Sequence, residues 1–262
     1  MVEYIKTLDK KDCVCKIKKL LNYVERDKFK NYIYIYNHKD ATKKKVIKLL
    51  NKLKVEKVVL EKNFYLNYSQ ISDKEMTFFF IPEIVQKIKE NKTFLHDEIY
   101  LVVNDFNNEN NQIIDELTNK CKVLNIVTNN RLFLEKEKSI EVNGSYISVS
   151  NNQRRALRKA EIIVNFDVKN LNKFNINQNA IIIDGSGKLN NINKNIINAI
   201  EIQSKKVLRD YEEFKNFDVN NLLKARIFQL KSIEEKRMFI KNQKIEIGRF
   251  YNKENCWKIL TK

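Results

Sequence analysis

Glycine and proline are almost missing from this chain: there are four Gly and one Pro among 262 residues. That scarcity leaves no Ser/Gly-rich or Pro-rich linker to mark a domain boundary, and it leaves few places for a glycine loop that cradles phosphates. No run of about 18 or more apolar residues occurs, so no membrane span is expected. The opening residues MVEYIKTLDKKDC lack the apolar core of a secretory signal, and the expected location is the cytoplasm. Only two histidines are present, His38 and His96. Neither has a Ser, Cys or carboxylate at a spacing that marks a triad. Cys13, Cys15, Cys121 and Cys256 make no paired CxxC pattern for a tetrahedral metal, and read as reduced structural thiols.

What is present fits a globular protein: 43% of the residues are hydrophobic and 32% are charged. The net charge is +17, with 41 Lys, 9 Arg and 36 Asn. Lys, Asn and Ile are residues that an AT-rich genome over-supplies, so much of the basicity reads as solvated faces. The rival reading is an anionic partner such as nucleic acid. Residues 98–150 carry 5 basic and 8 acidic side chains, so the positive charge sits on the flanks.

Periodicity gives a coarse map. Residues 10–27 predict one helix with Val14, Ile17, Leu20, Leu21 and Val24 on a single face. Asn31 to Asn37 alternates Tyr32, Tyr34 and Tyr36 with Ile33 and Ile35, a strand by period and propensity. Its tyrosines read as a packed face, with a base-stacking platform as the alternative. Asp40 is the expected cap of a helix whose stripe is Val46, Ile47, Leu50 and Leu53, and Lys57 to Phe64 follows as a strand. Pro82 is expected near a helix start, with Ile81, Ile84, Val85 and Ile88 on one face. The first 97 residues thus read as a small α/β unit of two strands and three helices.

From Glu98 the pattern changes to short β-rich runs alternating with helices: EIYLVVNDF, NNENNQIIDELTNK, KVLNIVTNN, YISVSNN, RRALRKA, EIIVNFD and AIIIDGSGK. Such alternation is the signature of βαβ units in a mostly parallel sheet. Ile113, Ile114 and Leu117 should bury the first crossover helix. Residues 131–146 are open between a helix ended by Gly144 and a hairpin turned at Asn143-Gly144; the helix is favoured because parallel strands need a crossover. Beyond Gly187 the map reads as a helix over SKKVLRDYEEFKNF, another over Asp218 to Gln229, and a β-hairpin over RMFIKNQKIEIGRFYN. The expected fold class is α/β: a Rossmann-like, mostly parallel sheet with flanking helices, a small N-terminal α/β unit and an α+β C-terminal tail. The expected organisation is 1–97, 98–200 and 201–262.

The order EIYLVVNDF, helix, VLNIVTNNR, KAEIIVNFD, AIIIDGSGK resembles the NAD(P) domain of shikimate dehydrogenases and glutamyl-tRNA reductases. It covers about 90 residues, roughly a third of the chain. In that family an Asn-Arg pair after the second strand handles the adenosine ribose or its 2′-phosphate, and Asn130-Arg131 stands in that place. Ala160 to Asn165 matches the family's A-D-I-I-I-N strand, with Glu161 for Asp, and Asp184 ends the next strand. The resemblance implies NADP as cofactor. The chain as a whole is also similar to proteins of low-GC Gram-positive anaerobes, which adds no activity. It departs from the family in the first β–α turn, Asn104 to Asn110, which has no glycine and carries Asp105 and Glu109 where two phosphates would sit.

The candidate ligand site is therefore the carboxyl edge of the parallel strands: Asn104, Asp105, Thr128, Asn129, Asn130, Arg131, Asn165, Asp167 and Asp184. The expected role is non-catalytic, sensing a small ligand or binding a protein partner, with no required cofactor. The alternatives are an NADP-dependent reductase with an atypical phosphate loop, and a nucleic-acid binder that uses Arg154, Arg155, Arg158 and Lys159. Asp184-Gly-Ser-Gly-Lys188 is read as an ordinary turn, with an anion nest as the alternative.

Overall fold

The computed structural model describes residues 1–8, 13–27, 29–134, 145–171, 174–189, 195–204, 214–252 and 257–258, and the side chains of all of these except 153, 154, 252, 257 and 258. They divide into two compact units. The first joins Met1–Ile71 with Ser204–Lys231, and the second joins Ser72–Gln203 with Ser232–Lys262.

In the first unit, β1 (Val2–Thr7), β2 (Val24–Asp27), β3 (Tyr32–Ile35) and β4 (Lys57–Leu60) form a sheet in the order β2-β3-β1-β4. β1 is parallel to both β3 and β4, while β2 is antiparallel to β3. Helix α1 (Cys13–Leu20) follows β1, and α2 (Asp40–Lys52) links β3 to β4. One sheet face places Ile5, Ile33, Ile35, Val58 and Leu60 against Val46 and Leu50 of α2. The other carries Tyr4 and Tyr32, whose rings meet Phe214 at 5.9 and 6.1 Å. Tyr4 also meets Phe217 at 6.2 Å, edge to face. Burial here pushes the Tyr4 phenol up. The tyrosine run packs: Tyr32 and Tyr36 are buried.

Three expectations for this region are corrected. Residues 10–27 are not one helix: α1 stops at Leu20, Asn22 turns the chain at φ 50°, and Val24–Asp27 pairs as β2. Asn accepts that left-handed conformation more cheaply than a branched residue. The periodic apolar face points largely outward, with Ile17 55% and Leu20 79% exposed, and only Cys15 of α1 is buried. Asp40 is the first residue of α2, not its cap; Lys39 holds that place without a side-chain bond. Among the described residues up to 97, this sheet has four strands rather than two.

The second unit begins with α3 (Asp73–Thr77), capped by the reciprocal Ser72–Glu75 pair. Pro82 stands in the first turn of α4 (Ile81–Asn91), where its missing N–H costs nothing, and Ile81, Ile84, Val85 and Ile88 are buried as expected. Then come β5 (Glu98–Val102), α5 (Asn108–Thr118), β6 (Val123–Val127), β7 (Tyr146–Ser150), α6 (Gln153–Ala156), β8 (Ile162–Asn165), β9 (Ile181–Asp184) and β10 (Ile196–Ile197). The sheet order is β10-β9-β8-β5-β6-β7, and every pair is parallel. Counted from its first strand, this is 3-2-1-4-5-6, the doubly wound Rossmann order. Strands buried on both faces read as continuous apolar runs, which is why β8 and β9 have no alternation. Ile113, Ile114 and Leu117 are fully buried. The parallel pairing of β7 with β6 requires a crossover; of residues 131–146, open between helix and hairpin, 135–144 lie outside the described residues.

Near the C-terminus, α7 (Val219–Gln229) forms as expected and belongs to the first unit. Most of the helix expected over 204–217 lies outside the described residues. The expected hairpin over RMFIKNQKIEIGRFYN is corrected: Ser232 and Glu235 make a capping box that starts α8 (Ile233–Asn242), and only β12 (Ile245–Asn252) is a strand. It joins β11 (Ala199–Ser204) and β13 (Trp257–Lys258) in a small sheet.

Arg237 of α8 is 2% exposed and ties three helical segments of the second unit together. Its guanidinium donates to Glu83 at 2.8 and 2.7 Å, to Glu116 from Nε at 2.9 Å and again from its Nη2, and to the Phe79 carbonyl at 2.6 Å. Burial opposes its charge, but the bonds to Glu83 and Glu116 outweigh that and hold the guanidinium above its ordinary range. At Glu116 burial likewise works against ionisation, and the Arg237 bond outweighs it, holding the carboxyl below its usual range.

Candidate functional site

In an open α/β sheet the ligand crevice lies beyond the carboxyl ends of the strands, where the strand order reverses. In the second unit that place is between β5 and β8. All nine site candidates follow or end a strand at this edge, and the structure gathers them into three hydrogen-bonded groups.

The first group spans the reversal point. The backbone N–H groups of Asn104 and Asp105, just past β5, both donate to Asp167 Oδ2, at 2.7 and 2.6 Å. Asp167 Oδ1 is buried and has no partner among the described residues. Behind this turn, Asn107 caps α5 by accepting from Asn110 N at 2.8 Å, and Asn110 Nδ2 holds the Asp105 carbonyl at 2.7 Å. In a dinucleotide site these turn and helix-terminus amides face the pyrophosphate. Here the Asn104 and Asp105 amides are engaged by the Asp167 carboxylate and the Asn110 amide by the Asn107 side chain. The arrangement does not fit a pyrophosphate without breaking the Asp167 bonds, and Asp105 and Glu109 would add repulsion.

The second group is buried between β8 and β9. Asn165 Nδ2 donates to Asp184 Oδ1 at 2.9 Å. Asp184 also accepts from Ser186 N at 3.2 Å, Ser186 Oγ at 2.6 Å and Leu189 N at 3.0 Å. The amides after β9 therefore close on their own aspartate, so the segment behaves as a turn rather than an anion nest. A Cβ added at Gly185 would meet Ile81 Cδ1 at 2.8 Å and the Asn165 carbonyl at 3.2 Å, so glycine there serves close packing.

The third group is open. Asn129 N donates to Asn104 Oδ1 at 3.1 Å, and Asn130 Nδ2 donates to the Asn104 carbonyl at 2.8 Å. Asn130 N donates to Thr128 Oγ1 at 3.0 Å, and Leu132 N to Asn130 Oδ1 at 3.0 Å. These bonds fix the turn after β6 and leave Arg131 exposed on the wall of a cleft of about 520 Å³. The cleft is also lined by Leu134, Val149, Ser150 and Asn151. None of the four carried a motif: Leu134 ends the turn that follows β6, and Val149, Ser150 and Asn151 come here because β7 lies beside β6, which only the strand order reveals.

A smaller cleft of about 260 Å³, at the amino-terminal edge of the same sheet, is lined by His96, Glu98, Tyr100, Lys159 and Glu161. Burial, then the bond to Glu98, pushes the Tyr100 phenol up to about 12. Among the described residues no group of three or more His, Cys, Asp or Glu could hold a metal ion. Cys15 and Cys121 are buried, and burial pushes the Cys121 thiol up to about 12. Arg155, Arg158 and Lys159 are exposed; the Arg154 side chain and Cys256 lie outside the described residues. No described helix is long and apolar enough to cross a membrane.

No protein-family model matches the chain, and no curated protein matches it. Among solved structures it is similar to shikimate 5-dehydrogenase from Listeria monocytogenes in complex with shikimate and NAD, at 10% identity over 70% of this chain and 77% of that one, TM-score 0.30. It is also similar to L-tryptophan dehydrogenase from Nostoc punctiforme, at 9% identity over 92% of this chain and 77% of that one, TM-score 0.34. A third similarity, to CmnK, has 9% identity and TM-score 0.29, covers 48% of this chain and spans only 36% of that chain's length. The Rossmann-like assignment rests on the strand order and parallel registers themselves.

Proposed function

We propose that the second unit binds a small anionic ligand in the cleft beside Arg131, and that its role is sensing or partner regulation rather than hydride transfer. One observation supports the reading: the first two amides of the turn after β5, those of Asn104 and Asp105, are bonded to Asp167, while the guanidinium after the second strand stays exposed. A phosphomonoester, such as the 2′-phosphate of an adenosine, matches an exposed guanidinium beside Ser150 and the Asn129–Asn130 turn. NADPH is the natural probe because it carries that phosphate and NADH does not.

The test is a thermal-shift series with NADPH, NADH, ATP and 2′,5′-ADP. A ligand at about a hundred times its Kd stabilises by roughly 2.7 kcal/mol, or roughly 5–10 °C for a chain of this size. The reading expects a shift with NADPH and 2′,5′-ADP, little with NADH, and none with either in Arg131→Ala. Equal shifts with NADH and NADPH that survive Arg131→Ala would restore the reductase reading. No shift with any of the four would remove the nucleotide as ligand.

A further inference from the structure

The first unit has a reversal point of its own. β1 is central; the chain leaves it toward β3 on one side and then crosses to β4 on the other, so the order reverses between β1 and β4. Thr7 ends β1, His38 lies just beyond β3, and Glu61 directly follows β4, which brings all three to the carboxyl edge. Across the reversal point Thr7 N donates to Glu61 Oε2 at 2.9 Å. Thr7 Oγ1 shares a 3.0 Å hydrogen bond with His38 Nε2, and the exposed imidazole lies against the Phe64 ring, with centroids 5.2 Å apart.

Glu61 is only 6% exposed, and its Oε1 has no hydrogen-bond partner among the described residues. Tying the ends of β1 and β4 together uses Oε2 alone. A buried carboxylate oxygen left without a donor is unfavourable, and a cationic donor offsets that better than a neutral one. A metal ion would need more ligands, and the described residues offer no group of three acidic, His or Cys side chains.

We propose that this edge binds a small organic molecule carrying a primary ammonium group. The ammonium donates to Glu61 Oε1, and the His38 and Phe64 rings flank the carbon skeleton. Because Oε1 is shielded from solvent, the occupant enters as His38 turns out of its bond to Thr7. The site is independent of the Arg131 cleft, and either can fail without the other.

The test uses the full chain and imidazole ¹⁵N–¹H spectra, in which only His38 and His96 give signals and a His38→Asn spectrum assigns them. Three probes are titrated: ethanolamine, a primary ammonium; tetramethylammonium, which has the charge but no N–H; and ethylene glycol, which is uncharged. The expected result is a saturable movement of the His38 signal with ethanolamine alone, weakened about tenfold or more in Glu61→Gln. Glu61→Gln keeps the shape and an acceptor for Thr7 N. Should it fail to fold, a crystal structure of the unaltered chain grown with ethanolamine decides. An ammonium nitrogen within hydrogen-bond distance of Oε1 supports the site, and an ordered water alone overturns it. Equal movement with tetramethylammonium, or none with ethanolamine, also overturns it.

Discussion

The two sheets carry the same device at their reversal points and use it differently. In each, a carboxylate from the far side of the reversal accepts backbone N–H at the end of the central strand: Asp167 from Asn104 and Asp105, Glu61 from Thr7. In each, one carboxylate oxygen has no partner among the described residues. Asp167 is only partly buried and takes the first two amides of the turn after β5. Glu61 is almost fully buried, takes one amide, and leaves Oε1 in the interior without a partner among the described residues. An internal carboxylate at such an edge therefore has two consequences. On the two proposals made above, the carboxylate that takes turn amides works against an anion at that turn, and the one that keeps an oxygen in reserve favours a cation.

Four substitutions test this contrast. The largest effect is expected from Arg237→Ala, which leaves partly buried Glu83 without its guanidinium and Glu116 with the exposed Lys241 ammonium at 3.7 Å. Removing one member of a buried pair costs about 3–5 kcal/mol. Hydrogen exchange should show the loss in the amides of the second unit, with the first unit's protection unchanged; a uniform loss would mean that the two edges share one cooperative structure. Gly185→Ala comes next. Its Cβ would press on Ile81 and the Asn165 carbonyl beside the Asp184 turn, and overpacking of this kind costs about 1–3 kcal/mol. A denaturation midpoint close to that of the unaltered chain would show that this edge can shift.

A third prediction concerns acid. Glu116 is held below its ordinary range in the fold, so the stability it contributes is present above the unfolded carboxylate value of about 4.3 and is lost as pH falls through its folded value. Unfolding free energies measured down through that range should fall less steeply in Glu116→Gln than in the unaltered chain, and an identical slope would remove the ion pair from the acid response. The smallest effect is expected from Ser72→Ala, which removes the reciprocal cap of α3 at about 1 kcal/mol. Calorimetric melting would register it, and an unchanged midpoint would mean that packing, not the cap, fixes the start of α3.

The second sheet was legible in the sequence because strands buried on both faces announce themselves as apolar runs. IYLVV, VLNIV, IIVN and IIID needed no tertiary information, and the residues after each run had to fall at the carboxyl edge. The first sheet was harder. Val24–Asp27 looks like the end of a helix and becomes a strand only because β3 is there to pair with it. Leu20 and Ile17 keep helical spacing yet face solvent, so their period reported a helix but not its burial. The start of α8 did leave a signal, since Ser232 followed by Glu235 is a capping box, and the β-rich residues after it masked it. The roles of Asp167 and Glu61 were beyond the sequence: their partners are 63 and 54 residues away, and only the strand order brings them together.

The most direct test of the account follows backbone amides by ¹⁵N–¹H spectroscopy during a titration with NADPH. The account predicts that the amides of 129–131 and 149–151 move, while those of Asn104 and Asp105 stay fixed on the Asp167 carboxylate. Movement of the Asn104 and Asp105 amides together with the cleft would mean that the pyrophosphate displaces Asp167, and that the turn is a working dinucleotide site after all. A spectrum in which no amide moves would contradict the Arg131 cleft as a nucleotide site.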